Sequence, residues 1–107
     1  MHVRVKLKSV KKTGAEEELE ALLDLVVDDN YMVIKNVIFF GVNMRKDNEN
    51  IYPFIIRKGE VDYGSGEHIK ERSFETDIYD KEIKVGEYIE LDGTYKITSV
   101  DEFGVKK

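Results

Sequence analysis

Residues 13–30, "TGAEEELEALLDLVVDDN", read as the one helix of the chain, and that reading sets the fold class. Thr13 suits an N-cap, and Glu16 three residues on completes a Thr-x-x-Glu capping box. Glu16, Glu17 and Glu18 fall in the first turn, where the helix dipole favours negative charge. Ala15, Leu19, Leu22, Leu23 and Val26 form a single apolar stripe at helical spacing. Asp28, Asp29 and Asn30 then end the segment.

Strands are expected on both sides of it. Residues 2–9, "HVRVKLKS", alternate strictly, with Val3, Val5 and Leu7 on one face and His2, Arg4, Lys6 and Lys8 on the other. Residues 31–44, "YMVIKNVIFFGVNM", are apolar on both parities apart from Lys35 and Asn36 and read as a central strand, with a bulge or bend near Lys35-Asn36 that exchanges its faces. "IYPFIIR" (51–57) is the next strand, and Pro53 places part of it at an edge or a strand start. Residues 58–67 read as a loop with a Gly64-Ser65-Gly66 tip. Residues 68–80 read as a solvated strand on the Ile69, Phe74 and Ile78 side.

The last stretch, "KVGEYIELDGTYKITSV" (84–100), is a hairpin whose register depends on loop length. A two-residue Asp92-Gly93 turn pairs Ile89 with Lys96 and splits the apolar side chains between two faces. A three-residue Leu91-Asp92-Gly93 loop, with Gly93 left-handed, pairs Ile89 with Tyr95. Ile89, Leu91, Tyr95 and Ile97 then share a face, and burying them is worth about 1.5–3 kcal/mol each. The longer loop is therefore expected. The hairpin resembles, in general form, the closing hairpin of SH3-like or OB-like barrels, without a motif that assigns a family. The elements together imply an α+β single domain, 1–107, in the order β-α-β-β-β-β-β. It would be a strongly bent antiparallel sheet or a partly open small β-barrel with the N-terminal helix packed on it.

Composition narrows the function classes. The chain has no Cys, which excludes disulfides, thiolate metal sites and a cysteine nucleophile. No apolar run approaches the roughly 20 residues of a membrane helix, and the N-terminus lacks a signal-peptide core, so a cytoplasmic chain is expected. Lys exceeds Arg, and Ile, Asn, Asp and Glu abound beside a single Pro, a usage that suits an AT-rich bacterium or its phage. The net charge of −5 conceals an asymmetry. Residues 1–13 carry +5 from Arg4, Lys6, Lys8, Lys11 and Lys12, while the remainder sets 12 Lys and Arg against 22 Asp and Glu. That balance disfavours non-specific nucleic-acid binding.

No motif for a cofactor, a metal or catalysis is legible. His2 and His68 have no second His or Cys at ligand spacing. His68 beside Glu67 and Glu71 would titrate near neutrality, but a loop His among charges is ordinarily solvated. Glu75, Asp77, Asp80 and Glu82 are interleaved with Lys81 and Lys84 and lack a calcium-loop pattern. "YGSGE" lacks the frame of a phosphate loop. The basic face of the first strand is read as lysines guarding a sheet edge, with a nucleic-acid backbone as the alternative ligand.

Six Tyr and five Phe exceed what a small core readily absorbs. Tyr52, Phe54, Tyr63 and Tyr79 are the candidate protein-contact residues. The expected function is a small acidic, non-enzymatic protein-binding module, with homodimerisation through the strand edge at Ile51–Arg57. The alternatives are a nucleic-acid-binding barrel using the first strand, and a phage-type inhibitor that imitates nucleic-acid charge.

Overall fold

A computed structural model describes residues 1–10, 16–45, 51–64 and 73–102. Val3, Val5 and Leu7 are buried along β1 (His2–Val10), as their alternation demands. They require a neighbour with the same period. That neighbour is β2 (Glu16–Val26), which pairs antiparallel with Val3 opposite Leu25, Val5 opposite Leu23 and Leu7 opposite Ala21.

The expected N-terminal helix is thus a strand, and no α-helix is present among the described residues. Thr13 and Ala15 lie outside them. The reason is visible from residue 21 onward. "ALLDLVV" carries a second period, of two, in Ala21, Leu23, Leu25 and Val27, all buried. Glu, Leu and Ala favour a helix by tenths of a kcal/mol per residue. Pairing with a strand on each side while burying four side chains outweighs that preference.

The remaining strands are β3 (Phe39–Arg45), β4 (Ile51–Arg57), β5 (Glu60–Asp62), β6 (Ser73–Glu75), β7 (Tyr88–Glu90) and β8 (Thr94–Glu102). They join in one antiparallel sheet ordered β6-β5-β4-β3-β2-β1-β8-β7, which curls into a nearly closed barrel. The OB fold has five strands, so the resemblance of the last hairpin does not extend to the architecture. The first strand is also not the guarded edge its lysines suggested. It lies between β2 and β8.

A bulge in β8 assists the curl. Lys6 pairs with Ser99 but Leu7 pairs with Ile97, leaving Thr98 as an extra residue. Its hydroxyl donates to the Lys6 carbonyl. The bulge switches parity, so that Tyr95, Ile97 and partly buried Val100 all meet the interior.

The gap between β6 and β7 is crossed by a connector. Within it a single 3-10 turn, Ile78–Asp80, buries Ile78. The Asp77 carboxylate accepts the backbone N–H of Glu90 at 2.9 Å, satisfying a donor on the β7 edge. Further along, the Ile83 N–H donates to the Tyr31 carbonyl, and Met32 bridges Glu82. Tyr31 sits at φ +61 after an Asp28 turn whose carboxylate accepts the N–H groups of Asn30 and Met32.

Several other expectations change in detail. The long apolar strand begins only at Phe39, after a turn with Asn36 at φ +66. Residues 58–64 contain β5, joined to β4 by a Lys58-Gly59 turn with both φ positive, the form that suits tight hairpins. Ser65 and Gly66 lie outside the described residues. Of the segment 68–80, residues 68–72, Ile69 among them, lie outside, and among the described residues 73–80 only Ser73–Glu75 forms a strand. Pro53 falls where β4 runs beyond its pairing with β5, which begins at Ile55.

The last hairpin takes the three-residue loop. Ile89 opposes Tyr95, and Ile89, Leu91, Tyr95 and Ile97 are buried together. Gly93 is not left-handed; the positive φ in this region belongs to Gly86.

Leu22 and Leu25 separate the two periodicities, since a helix buries the first and this strand buries the second. Leu25→Ala is expected to cost about 2–5 kcal/mol and Leu22→Ala under about 1.5 kcal/mol. Urea unfolding of both variants measures the difference.

A candidate contact surface on the outer face of the sheet

Residues that alternate with the core point outward; on β3 and β4 these include Phe40, Val42, Met44, Ile51, Pro53 and Ile55, and on β2 Leu22 lies between Glu20 and Asp24. Across β2, β3 and β4, Leu22 lines up with Val42 and Pro53, Phe40 with Ile55, and Met44 with Ile51. Phe40 is 66% exposed and Ile51 61%. Three shallow grooves share this face. The largest, about 420 Å³, runs past Phe40, Val42, Pro53 and Ile55 toward Tyr63 and Gly64. The second, about 190 Å³, lies between Phe40 and the Arg4–Asp24 pair. The third, about 270 Å³, lies between Met44, Leu22 and Lys6. A sheet apolar on both faces ordinarily has a layer on each. Here no helix supplies the second one among the described residues.

Of the expected contact residues, Phe54 and Tyr63 line the largest of these grooves, and Tyr52 and Tyr79 do not. Phe54 is 3% exposed and packs on Gly41, its cross-strand partner. A Cβ at Gly41 would come within 2.6 Å of the Phe54 ring and 2.8 Å of the Leu22 carbonyl, so glycine is what lets the ring lie flat there. Tyr63 stacks at a tilt on Phe54, 5.2 Å between centroids, and edge-on to Phe74. Tyr79 is partly buried against the core beside the Gly59 backbone, and burial pushes its ionisation up. Tyr52 is 40% exposed. The structure therefore leaves open the face of β4 that alternates with Tyr52 and Phe54. The sequence signal for it was available: apolar residues on both parities of 39–44 and 51–56.

The interior carries one polar network. Asn43, 4% exposed, donates its amide to the hydroxyls of Tyr95 at 2.7 Å and Tyr63 at 3.0 Å. Tyr95 in turn donates to Asp92 at 2.8 Å. Burial first, and the charge of Asp92 second, push the Tyr95 ionisation well above the ordinary phenol value.

The basic residues of β1 are interleaved with acids. Arg4 makes two hydrogen bonds to Asp24, at 2.8 and 3.0 Å. Lys8 lies opposite Glu20, and Lys6 opposite Leu22. Lys11 and Lys12 lie outside the described residues, as do His68, Glu67 and Glu71. Asp77 and Glu87 both approach Lys81, Glu82 approaches Lys84, and Glu75 faces Glu60 across β5 and β6. Among the described residues no three His, Asp or Glu converge on one point. No helix among them is long and apolar enough to cross a membrane.

No family model, curated protein or solved structure matches the chain.

The Tyr95 environment gives a signed expectation. Unfolding returns the phenol to its ordinary range, so above about pH 10 the unfolded chain sheds a proton that the folded chain keeps. Stability therefore falls as pH rises past that point, by up to about 1.4 kcal/mol per pH unit from this group. Denaturant midpoints between neutral and strongly alkaline pH should show a shallower fall in Tyr95→Phe than in wild type.

Proposed function

We propose that the chain is a non-enzymatic protein-binding module whose contact surface is the outward face of β2, β3 and β4, centred on Phe40. The observation that carries this reading is the unbroken apolar strip from Leu22 through Val42 to Pro53, with Phe40 and Ile55 beside it. Isolated exposed apolar residues are ordinary on any protein, whereas a contiguous set rimmed by charge marks an interaction site. An exposed aromatic at the centre of such a set is the side chain that most often dominates contact energy. The rim is polar and of both signs: Arg4, Asp24 and Glu20 on one side, and Arg57 and Asp62 on the other. The pairing of Arg4 with Asp24 lends less support to a nucleic-acid backbone as ligand, because a phosphate would have to displace a carboxylate already held by two hydrogen bonds.

Affinity capture from a lysate of the organism that carries the gene tests the reading. Wild type and Val85→Glu, an exposed change away from this face, should retain the same partner, and Phe40→Glu should lose it. Recovery of one identical set of proteins by all three baits refutes it. Equal melting temperatures of the three establish that the folds match.

A further inference from the structure

We propose that Asp77, Lys81 and Glu87 form a cap that closes the β7 edge to strand addition, with Lys81 the positioning residue that ties the two carboxylates together. The inference stands apart from the outer face of β2, β3 and β4.

It starts from where the backbone groups of β7 point. Among the described residues β7 ends the sheet and pairs with β8 alone. Leu91 donates its N–H to the Gly93 carbonyl and Ile97 donates to the Glu87 carbonyl, so residues 87, 89 and 91 turn toward β8. Tyr88 and Glu90, between them, turn their N–H groups away from the sheet. A row of such donors is what an added strand recognises.

Both donors are already taken. The Glu90 N–H donates to Asp77 Oδ1 at 2.9 Å, and the Tyr88 N–H donates to Glu87 Oε1 at 3.0 Å. Each acceptor is a carboxylate, so an incoming strand meets negative charge where its carbonyl oxygens would have to dock. The Tyr88 N–H first, and the charges of Lys81 and Lys84 after it, hold the Glu87 carboxyl below the ordinary carboxylate range. Because β7 is only three residues long, two capped donors cover its whole outward row.

Lys81 joins the two acceptors. Its ammonium lies 3.9 Å from Asp77 Oδ2 and 3.7 Å from Glu87 Oε1. A single exposed pair of that length contributes little. Here one cation serves two carboxylates, and all three side chains are half-buried. The 3-10 turn sets Asp77 and Lys81 on either side of buried Ile78, whose N–H donates to the Thr76 hydroxyl, and buried Ile83 follows. The connector is thus pinned to the core on both sides of the cation.

Amide hydrogen exchange read residue by residue by NMR tests the cap. Asp77→Ala should speed exchange at Glu90 about tenfold, the loss of one hydrogen bond to a charged acceptor. Lys81→Met should speed both Tyr88 and Glu90, by about threefold, and Lys81→Arg should restore the wild-type rates. Lys84→Met removes the same charge from the same connector but stands 4.0 Å from Glu82, and should leave Glu90 unchanged. The doubly uncapped Asp77→Ala/Glu87→Ala chain should associate more than wild type as concentration rises in sedimentation velocity. The amides of residues 88 and 90 should regain protection as it does so. Wild-type exchange at Leu23 and Ile97 in every variant separates loss of the cap from loss of the fold.

A Lys81→Met chain with both amides unchanged overturns the tie. A doubly uncapped chain that sediments as wild type overturns the cap, as does one that associates while residues 88 and 90 stay fast. Should that chain lose protection at Leu23 and Ile97, Asp77→Ala alone is read in the same two ways.

Discussion

The antiparallel pairing of β1 with β2 is the constraint on which the rest of the structure depends. Val3, Val5 and Leu7 need a partner whose buried side chains recur every second residue, and Leu25, Leu23 and Ala21 meet them one for one. Once that register is set, β2 presents its other edge to β3, β3 to β4, and the sheet grows outward from the pair. On the other side β8 closes against β1, with a bulge that keeps its apolar residues inward past the break. A shift of one residue between β1 and β2 would turn Leu23 and Leu25 to solvent and bring Asp24 inside.

The same strand links fold and candidate function. Local propensity and a helical stripe both pointed to a helix over 13–30, and a helix would have served as the sheet's covering layer. As a strand, the segment joins the sheet and covers nothing. That substitution of roles leaves Phe40 exposed and Leu22, Val42 and Ile55 half-buried. They also explain why the helix was plausible. Leu22 and Val26 broke the plain alternation of β2 and supplied the stripe; Leu22 also belongs to the surface, while Val26 packs against the core.

Elsewhere the interior is arranged by fit. Gly41 gives up its side chain so that Phe54 can cross it, and Asn43 joins two tyrosine hydroxyls where an apolar residue would leave both phenols without that donor. Asp77 reaches the edge of β7 that no strand among the described residues covers. Asp77 and Asn43 give partners to polar groups, whereas Gly41 makes room for a ring.

What the sequence by itself determined is local and periodic. The alternation of 2–9 was enough for β1, and "IYPFIIR" marked out β4. The hairpin register followed from the requirement that Ile89, Leu91, Tyr95 and Ile97 share one face. These readings hold because each needs only the side chains of its own few residues. The tertiary structure decided the state of 16–26, the central place of β1, and which parity of β3 and β4 stays in contact with water. Those depend on partners distant in the chain. A segment such as "ALLDLVV" satisfies two periods at once, and only the strands on either side of it select one.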